Sequence, residues 1–460
     1  MDDDAVCHQC VGEPYLAKLI REGESEECSF CGKTGNCCSL DWLADRLHSV
    51  IEEHFVRTSS EPDVSWAWAH EMGWERGGEQ VGHVIADLLC VHAAVAEAVR
   101  SHLDYFHCDH EEAQMGMESR YDELAQYEET GVDDSEFWDD WRDLVESMET
   151  RSRYFNSKAE QVFARIFQGL EEVSPKDSHS VIQHAGVGTK ITHLFRARIL
   201  TRSEIEEALK YPVQNVGPPP SRLARAGRMN PQGISVFYGA TDSETAIAEV
   251  RPPVGSDVLI GRFEIIRPIR LLDFEAMQKA YKRGTYFNPS DVHAFKRWKF
   301  LRSLGAVISR PILPGDEPFE YLPTQVMAEY LSNRADLKLD GILFGSAQTS
   351  STGQNVVLFH EASRVETHEI AVDTEMTVQQ HEVHEDGCET DYCVWVKPSA
   401  ENRVGDGQYR SDECHVSASC DSLRLSLDTL SIHHVERVKC KTHEHSVSRH
   451  VYTEHDFDHF

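Results

Sequence analysis

The chain has 460 residues, which at roughly 100–200 residues per domain leaves room for two to four domains that each bury a core. Its 45 Lys and Arg face 78 Asp and Glu, a formal net charge of -33, and such a surface disfavours a general nucleic-acid binder because it repels phosphate backbones. A nucleotide substrate stays open, since a single pocket needs only one or two arginines.

The first residues, MDDDAVCHQC, lack the positive segment and apolar run of a secretory signal. The longest apolar stretch, residues 81–99, carries Asp87, Glu97 and two histidines, which suits a buried helix better than a membrane span. A cytoplasmic protein with no membrane partner is therefore expected. In such a chain, 13 cysteines point to metal ligation or burial rather than to disulfides.

Residues 1–38 read as a zinc-binding knuckle. Cys7, Cys10, Cys28 and Cys31 form a C-x2-C-x17-C-x2-C pattern, the spacing at which two turns converge on one tetrahedral zinc, with Cys37 or Cys38 able to replace one ligand. Four thiolates leave no open position, so this metal is expected to fold the segment rather than to do chemistry. Residues 39–173 read as an all-α domain. Leu40, Leu43, Leu47, Val50 and Ile51 recur at helical spacing, and further helices are expected at about 79–106, 117–127 and 134–170. Trp66, Trp68, Trp74, Trp138 and Trp141 are expected in its core. Residues 174–192, rich in Ser and Gly, read as a linker.

From residue 193 the pattern changes. ISVFYGA, VLIGRFEII, GILFGS and NVVLFHE read as strands, and SETAIAEV, HAFKRWKFLRSLGAVI and PTQVMAEYLSN read as helices between them. The expected architecture over 193–365 is α+β, too irregular for a doubly wound sheet. In 366–460, the alternating part of RVETHEIAVDTEMTVQQHEVHE predicts a strand pair, and the rest reads as β-rich or partly disordered. His381 to Cys393 holds ligand-type residues, but their spacing matches no closed metal site, and a solvated strand pair is the preferred reading.

The most informative run is 227–252, GRMNPQGISVFYGATDSETAIAEVRP, in which a loop enters a short strand that passes straight into a helix bearing Glu249. Arg228 can grip a pyrophosphate or carboxylate in bidentate fashion, Asn230 offers a donor and an acceptor, and Tyr238 can stack on a flat ring. Each also has a plain structural role. Arg228 can brace the loop, Tyr238 can be core, and Glu249 can pair with Arg251 or Arg225.

This run, together with LFRAR at 194–198 and with YLPTQVMAEYL, DGILFGSA and QNVVLF downstream, resembles the RES domain family over about 194–359. The resemblance implies a fold like that of ADP-ribosyltransferases and a toxin of a toxin–antitoxin pair that degrades NAD+ by hydrolysis or phosphorolysis. It implies catalytic roles for Arg196, Tyr238, Glu249 and Ser346, with Arg198 one step of register from Arg196. Arg228, Asn230 and Asn355 are implied as pocket neighbours, NAD+ as substrate and a protein antitoxin as partner. The chemistry fits these residue types. Departure of nicotinamide leaves positive charge on the ribose, which a carboxylate such as Glu249 stabilises, while Arg196 holds the pyrophosphate.

Three other functions compete: ADP-ribosyl transfer to a macromolecule, a binding module without catalysis, and a ribonuclease of the HEPN class. The last rests on Arg100 and His107, an R-x6-H arrangement in RSHLDYFH, whose acidic surroundings argue against RNA. Whether water or phosphate attacks, and whether the chain forms a homo-oligomer, stay open.

Overall fold

The computed structural model describes residues 4–62, 76–108, 117–151, 156–172, 180–279, 284–310, 312, 315–349, 353–368, 374–384, 387–397, 421–439 and 442–449. Trp66, Trp68 and Trp74 lie outside the described residues, as do the final HDFDHF and the side chains of 382–390. The chain forms two compact units, residues 1–183 with 272–333 and residues 184–271 with 334–460.

The first unit opens with β1 (Ala5–Cys7), β2 (Ser25–Glu27) and β3 (Thr34–Ser39), an antiparallel sheet in the order β1-β3-β2. Helix Leu40–His54 begins where the Ser39 hydroxyl accepts the Trp42 N–H at 3.1 Å, and it buries the expected stripe Leu40, Leu43, Leu47, Val50 and Ile51. The stretch read as one helix from residue 79 is two, Val81–Leu89 and Ala93–His107, bent by 117° across a break that begins at Cys90, which is left-handed with φ 52°. No single helix among the described residues is long and apolar enough to cross a membrane.

The helix expected at 117–127 does not form. There the Asp122 carboxylate takes the Leu124 N–H at 2.8 Å, a local turn that competes with helix, and the chain then becomes extended. As a result β4 (Phe55–Arg57), β5 (Glu79–Gln80) and β6 (Gln126–Glu129) make a small sheet in the order β4-β6-β5, inside a segment read as all-helical. The expected helix at 134–170 is interrupted, with Ser135–Thr150 followed by Ser157–Ile166, which Asn156 caps. These helices share a core with Pro289–Ser309 and Leu322–Ser332. The rings of Trp138 and Trp141 meet Phe300 at 4.8 and 6.3 Å, and Phe163 meets Tyr330 at 5.4 Å; Trp141 is a core residue as expected, whereas Trp138 is half-buried at its edge.

A nine-stranded sheet holds the α+β region. It contains β7 (Ile182–Ala185), β8 (His193–Leu200), β9 (Phe237–Ala240), β10 (Asp257–Ile265), β11 (Ile269–Asp273), β12 (Gly341–Gly345) and β13 (Gln354–Leu358). After a separate hairpin of β14 (Glu375–His384) and β15 (Gly387–Lys397), the chain adds β16 (Leu423–Leu425) and β17 (Ser431–His434) to the sheet. The order is β16-β10-β8-β9-β13-β12-β11-β7, and β17 also pairs with β10. The alternating run near residue 380 thus supplies one strand, β14, and its partner comes from the segment that follows.

Strands β8 and β10 pair along their length, from Leu200 opposite Asp257 to His193 opposite Glu264. Strands β8 and β9 meet at one pair, Phe195 opposite Ala240, so the sheet parts there into two halves. Leu194, Phe237, Leu259, Phe263, Leu343, Val356 and Leu358 are fully buried on one face, each contributing about 1.5–3 kcal/mol of burial free energy.

Candidate active site and candidate metal centre

Strand β9 runs into helix Ser243–Glu249 through Asp242, whose carboxylate caps the helix by accepting the Thr245 N–H and hydroxyl, both at 2.8 Å. The helix ends at Glu249. A carboxylate at a helix C-terminus faces the negative end of the helix dipole, so this position is electrostatically unfavourable on its own. Two side chains offset the cost. Glu249 Oε1 accepts the Ser346 hydroxyl at 2.5 Å and the Asn355 Nδ2–H at 2.8 Å. Both donors are buried, Ser346 at 1% exposure and Asn355 at 8%. The Oε2 atom has no hydrogen-bond partner among the described residues, and Glu249 as a whole is exposed. The carboxylate is therefore fixed by one oxygen and open at the other.

The register of the β12–β13 hairpin explains how Ser346 and Asn355 converge. Phe344 stands opposite Asn355, and beyond the strand the Ser346 N–H reaches the Gly353 carbonyl at 2.9 Å. Direct partners across strands share a face, and the face alternates along a strand, so Ser346, Gly353 and Asn355 point the same way. Helix Ser243–Glu249 lies on that face. A Cβ at Gly353 would come within 1.8 Å of Thr245 Oγ1, which shows how closely the helix approaches the hairpin backbone.

Tyr238 serves the loop before it. Its hydroxyl donates to Asn230 Oδ1 at 2.9 Å and accepts the Met229 N–H at 2.9 Å. Asn230 is buried, and its Nδ2 reaches the carbonyls of Arg225, Pro231 and Ile234 at 2.9, 3.2 and 2.9 Å. Asn230 therefore organises the loop from within, and Gly227 admits it, because a Cβ there would sit 2.6 Å from the Tyr238 hydroxyl and 2.7 Å from Asn230 Oδ1. Arg228 is half-buried.

Arg196 stands where the two half-sheets part. Its guanidinium donates to the Tyr238 carbonyl at 3.1 Å and lies 5.4 Å from the Phe237 ring centroid. Desolvation lowers its pKa to about 10, and no carboxylate pairs with it among the described residues. Arg198 is committed elsewhere, to the Asn215 carbonyl at 2.8 Å, the Asn215 side chain at 3.1 Å and Glu204 at 3.6 Å. Arg198 thus has its polar partners on the chain's own residues, whereas Arg196 has one carbonyl among the described residues. Alternation along β8 nevertheless sends Arg196 to the face opposite Phe195, and hence opposite Asn355. Arg196 and Glu249 can approach one ligand only across the split. Sequence reasoning had no access to this, because it depends on a single β8–β9 pair.

Arg100 and His107 do not form a joint site. The Arg100 guanidinium holds both Glu97 oxygens, at 2.9 and 2.6 Å, and the Tyr121 carbonyl at 2.7 Å, whereas the His107 ring stacks on His48 at 3.7 Å.

In the first unit, the Sγ atoms of Cys7, Cys10, Cys28 and Cys31 all lie within 4.8 Å of one another. Two of the pairs, Cys7 with Cys31 and Cys10 with Cys28, are 3.6 and 3.8 Å apart. A tetrahedron with metal–sulfur bonds of about 2.3 Å has edges of about 3.8 Å, so the four thiols fit one metal ion. Burial would raise the Cys28 thiol, but backbone N–H groups of Cys7, Cys31 and Phe30 aimed at its sulfur prevail and lower it to about 7. Cys37, also buried, turns its thiol to the carbonyls of Gly35 and Glu26 at 3.3 and 3.7 Å.

Residues 193–380 match the RES domain family. The match takes in Arg196, Tyr238, Glu249, Ser346 and Asn355, together with helices Pro289–Ser309 and Leu322–Ser332 of the first unit. No curated protein matches the chain.

Proposed function

We propose that the RES domain of this chain cleaves the bond between nicotinamide and ribose in NAD+, as a glycohydrolase or phosphorylase of the toxin type. The observation that carries the reading is the Glu249 carboxylate, placed against the helix dipole, held at Oε1 by two buried donors and open at Oε2. As the C–N bond breaks, its electron pair leaves with nicotinamide, which departs neutral, and positive charge develops on the ribose. Oε2 stabilises that charge and can orient the incoming water or phosphate. Ser346 and Asn355 act through Glu249 by fixing its geometry. Arg196, without a carboxylate partner among the described residues, would hold the pyrophosphate across the split in the sheet. Tyr238 keeps the Gly227–Asn230 loop in place and leaves its ring to border the ligand. Zinc bound by Cys7, Cys10, Cys28 and Cys31 would fold the N-terminal segment, and a protein antitoxin would restrain the activity in the cell.

The test is nicotinamide release from NAD+, with and without phosphate, by the native chain and by Glu249→Gln. The variant keeps the shape and removes the charge, and its rate is expected to fall by about a hundredfold or more. Free ADP-ribose or its phosphorylated form is the expected product. Label retained on protein or nucleic acid would show transfer instead, and a native chain that releases no nicotinamide would end the reading.

A further inference from the structure

Charge is distributed unevenly around the site. Although Asp and Glu outnumber Lys and Arg by 78 to 45 in the chain, the stretch from Ala208 to Thr241 contains no acidic residue and carries Lys210, Arg222, Arg225 and Arg228. Arg222 and Arg225 are exposed, and neither forms an ion pair or a side-chain hydrogen bond among the described residues.

The loop that carries these arginines is fixed, and its side of the sheet is known. Tyr238 and Ala240 share a face of β9, and Ala240 stands opposite Asn355, so the Tyr238 ring lies on the face of Glu249 and its donors. From that face the Tyr238 hydroxyl holds Asn230, which in turn holds the Arg225 carbonyl at 2.9 Å. A 3-10 turn, Ser221–Leu223, precedes this, and the Ala224 carbonyl is tied to the Gly233 N–H at 3.0 Å. The loop that carries Arg222 and Arg225 is therefore braced from the Glu249 side of the sheet, whereas Arg196 belongs to the opposite face.

We infer that Arg222 and Arg225, in addition to Arg196 across the split, receive the phosphates of the dinucleotide whose ribose Glu249 faces, an inference that rests on the proposed cleavage. A pyrophosphate carries localised negative charge, a -33 surface opposes its approach, and an acid-free arginine loop beside the carboxylate lowers that barrier. The exposed guanidinium groups act mainly on binding, since they lie outside the cluster that holds Glu249.

The experiment is a binding titration of full-length native protein and the Arg222→Gln/Arg225→Gln double variant with ADP-ribose and with adenosine. It is run at about 20 mM and about 200 mM salt, where screening differs severalfold. The double variant is expected to bind ADP-ribose about three- to tenfold more weakly at low salt, with the gap closing at high salt and adenosine binding the same in both proteins. With NAD+, the loss should appear in kcat/KM. Equal ADP-ribose affinity in the two proteins overturns the inference. So does an equal loss for adenosine, which would mark a damaged fold. A native chain that binds ADP-ribose through these arginines yet releases no nicotinamide refutes the cleavage reading alone. Turnover with no effect of the double variant refutes this inference alone. A native chain that binds no ADP-ribose refutes both.

Discussion

Gly353→Ala tests whether the placement of Glu249 governs activity, through a residue that touches no substrate. The added methyl would meet Thr245 Oγ1 at 1.8 Å, with Thr245 Cβ and Cγ2 at 2.9 and 3.0 Å. Ordinary contact begins near 3.4 Å, so helix and hairpin must separate by more than an ångström. Rotating Thr245 does not relieve the clash, because Cβ stays close and Oγ1 is bound to Asp242 at 2.8 Å. The separation lies along the contact that sets the Ser346–Glu249 and Asn355–Glu249 bonds at 2.5 and 2.8 Å. A displacement of about 1 Å at a reacting group costs on the order of a hundredfold in rate, and overpacking costs about 1–3 kcal/mol of stability. Nicotinamide release and urea denaturation read the two effects. Thr245→Ala removes Oγ1 and Cγ2, so adding Gly353→Ala to that background should cost far less than in the native chain, a coupling that a double-mutant cycle measures. A Gly353→Ala protein with native kcat/KM and native denaturation midpoint would refute the reasoning.

Other consequences follow from the same contacts. Cys28→Ser or a strong chelator should abolish stoichiometric zinc binding and raise the protease sensitivity of the first 40 or so residues, because the metal is expected to supply much of their folding energy; unchanged cleavage kinetics would count against a structural metal. His48 is held below its ordinary pKa of about 6.5, first by burial and then by the stacked His107. The folded state disfavours its protonated form, so the stability it permits is full above the unfolded pKa and is lost as pH falls through the lower folded pKa. His48→Gln should therefore flatten the fall in melting temperature below about pH 6.5, and an unchanged profile would remove His48 as its source. Deleting residues 421–439 uncovers β10 and the sites of Leu423 and Leu425, at 0% and 7% exposure, and should cost several kcal/mol of stability in denaturation. A truncated protein as stable as the native chain would make β16 and β17 dispensable.

The residues around Glu249 were legible because a motif records separations along the chain that the fold converts into contacts. Asp242 and Thr245 stand three apart, the distance of a cap and its acceptor, and Glu249 follows four residues later on the same helix. Ser346 and Asn355 flank one hairpin loop, so a strand ending in Ser and a strand starting with Gln-Asn already imply that the two approach. What stayed hidden depends on pairings between distant segments. Asn230 has a ligand's chemistry, but its amide is held by three nearby carbonyls and by a tyrosine eight residues on, so its polar atoms are satisfied within the loop. The face on which Arg196 emerges follows from one bridge, Phe195 to Ala240, which no periodicity within LFRAR encodes. Strand β16 is three residues, too short for alternation to show, and its membership in the sheet comes from its partner β10 rather than from its own pattern. The same distinction separates the two sets of arginines. Residue type and spacing mark Arg196 and Arg228 as candidates, but the case for Arg222 and Arg225 rests on an acid-free loop that the fold braces beside Glu249, and that bracing runs through Tyr238 and Asn230 rather than through any pattern around the two arginines.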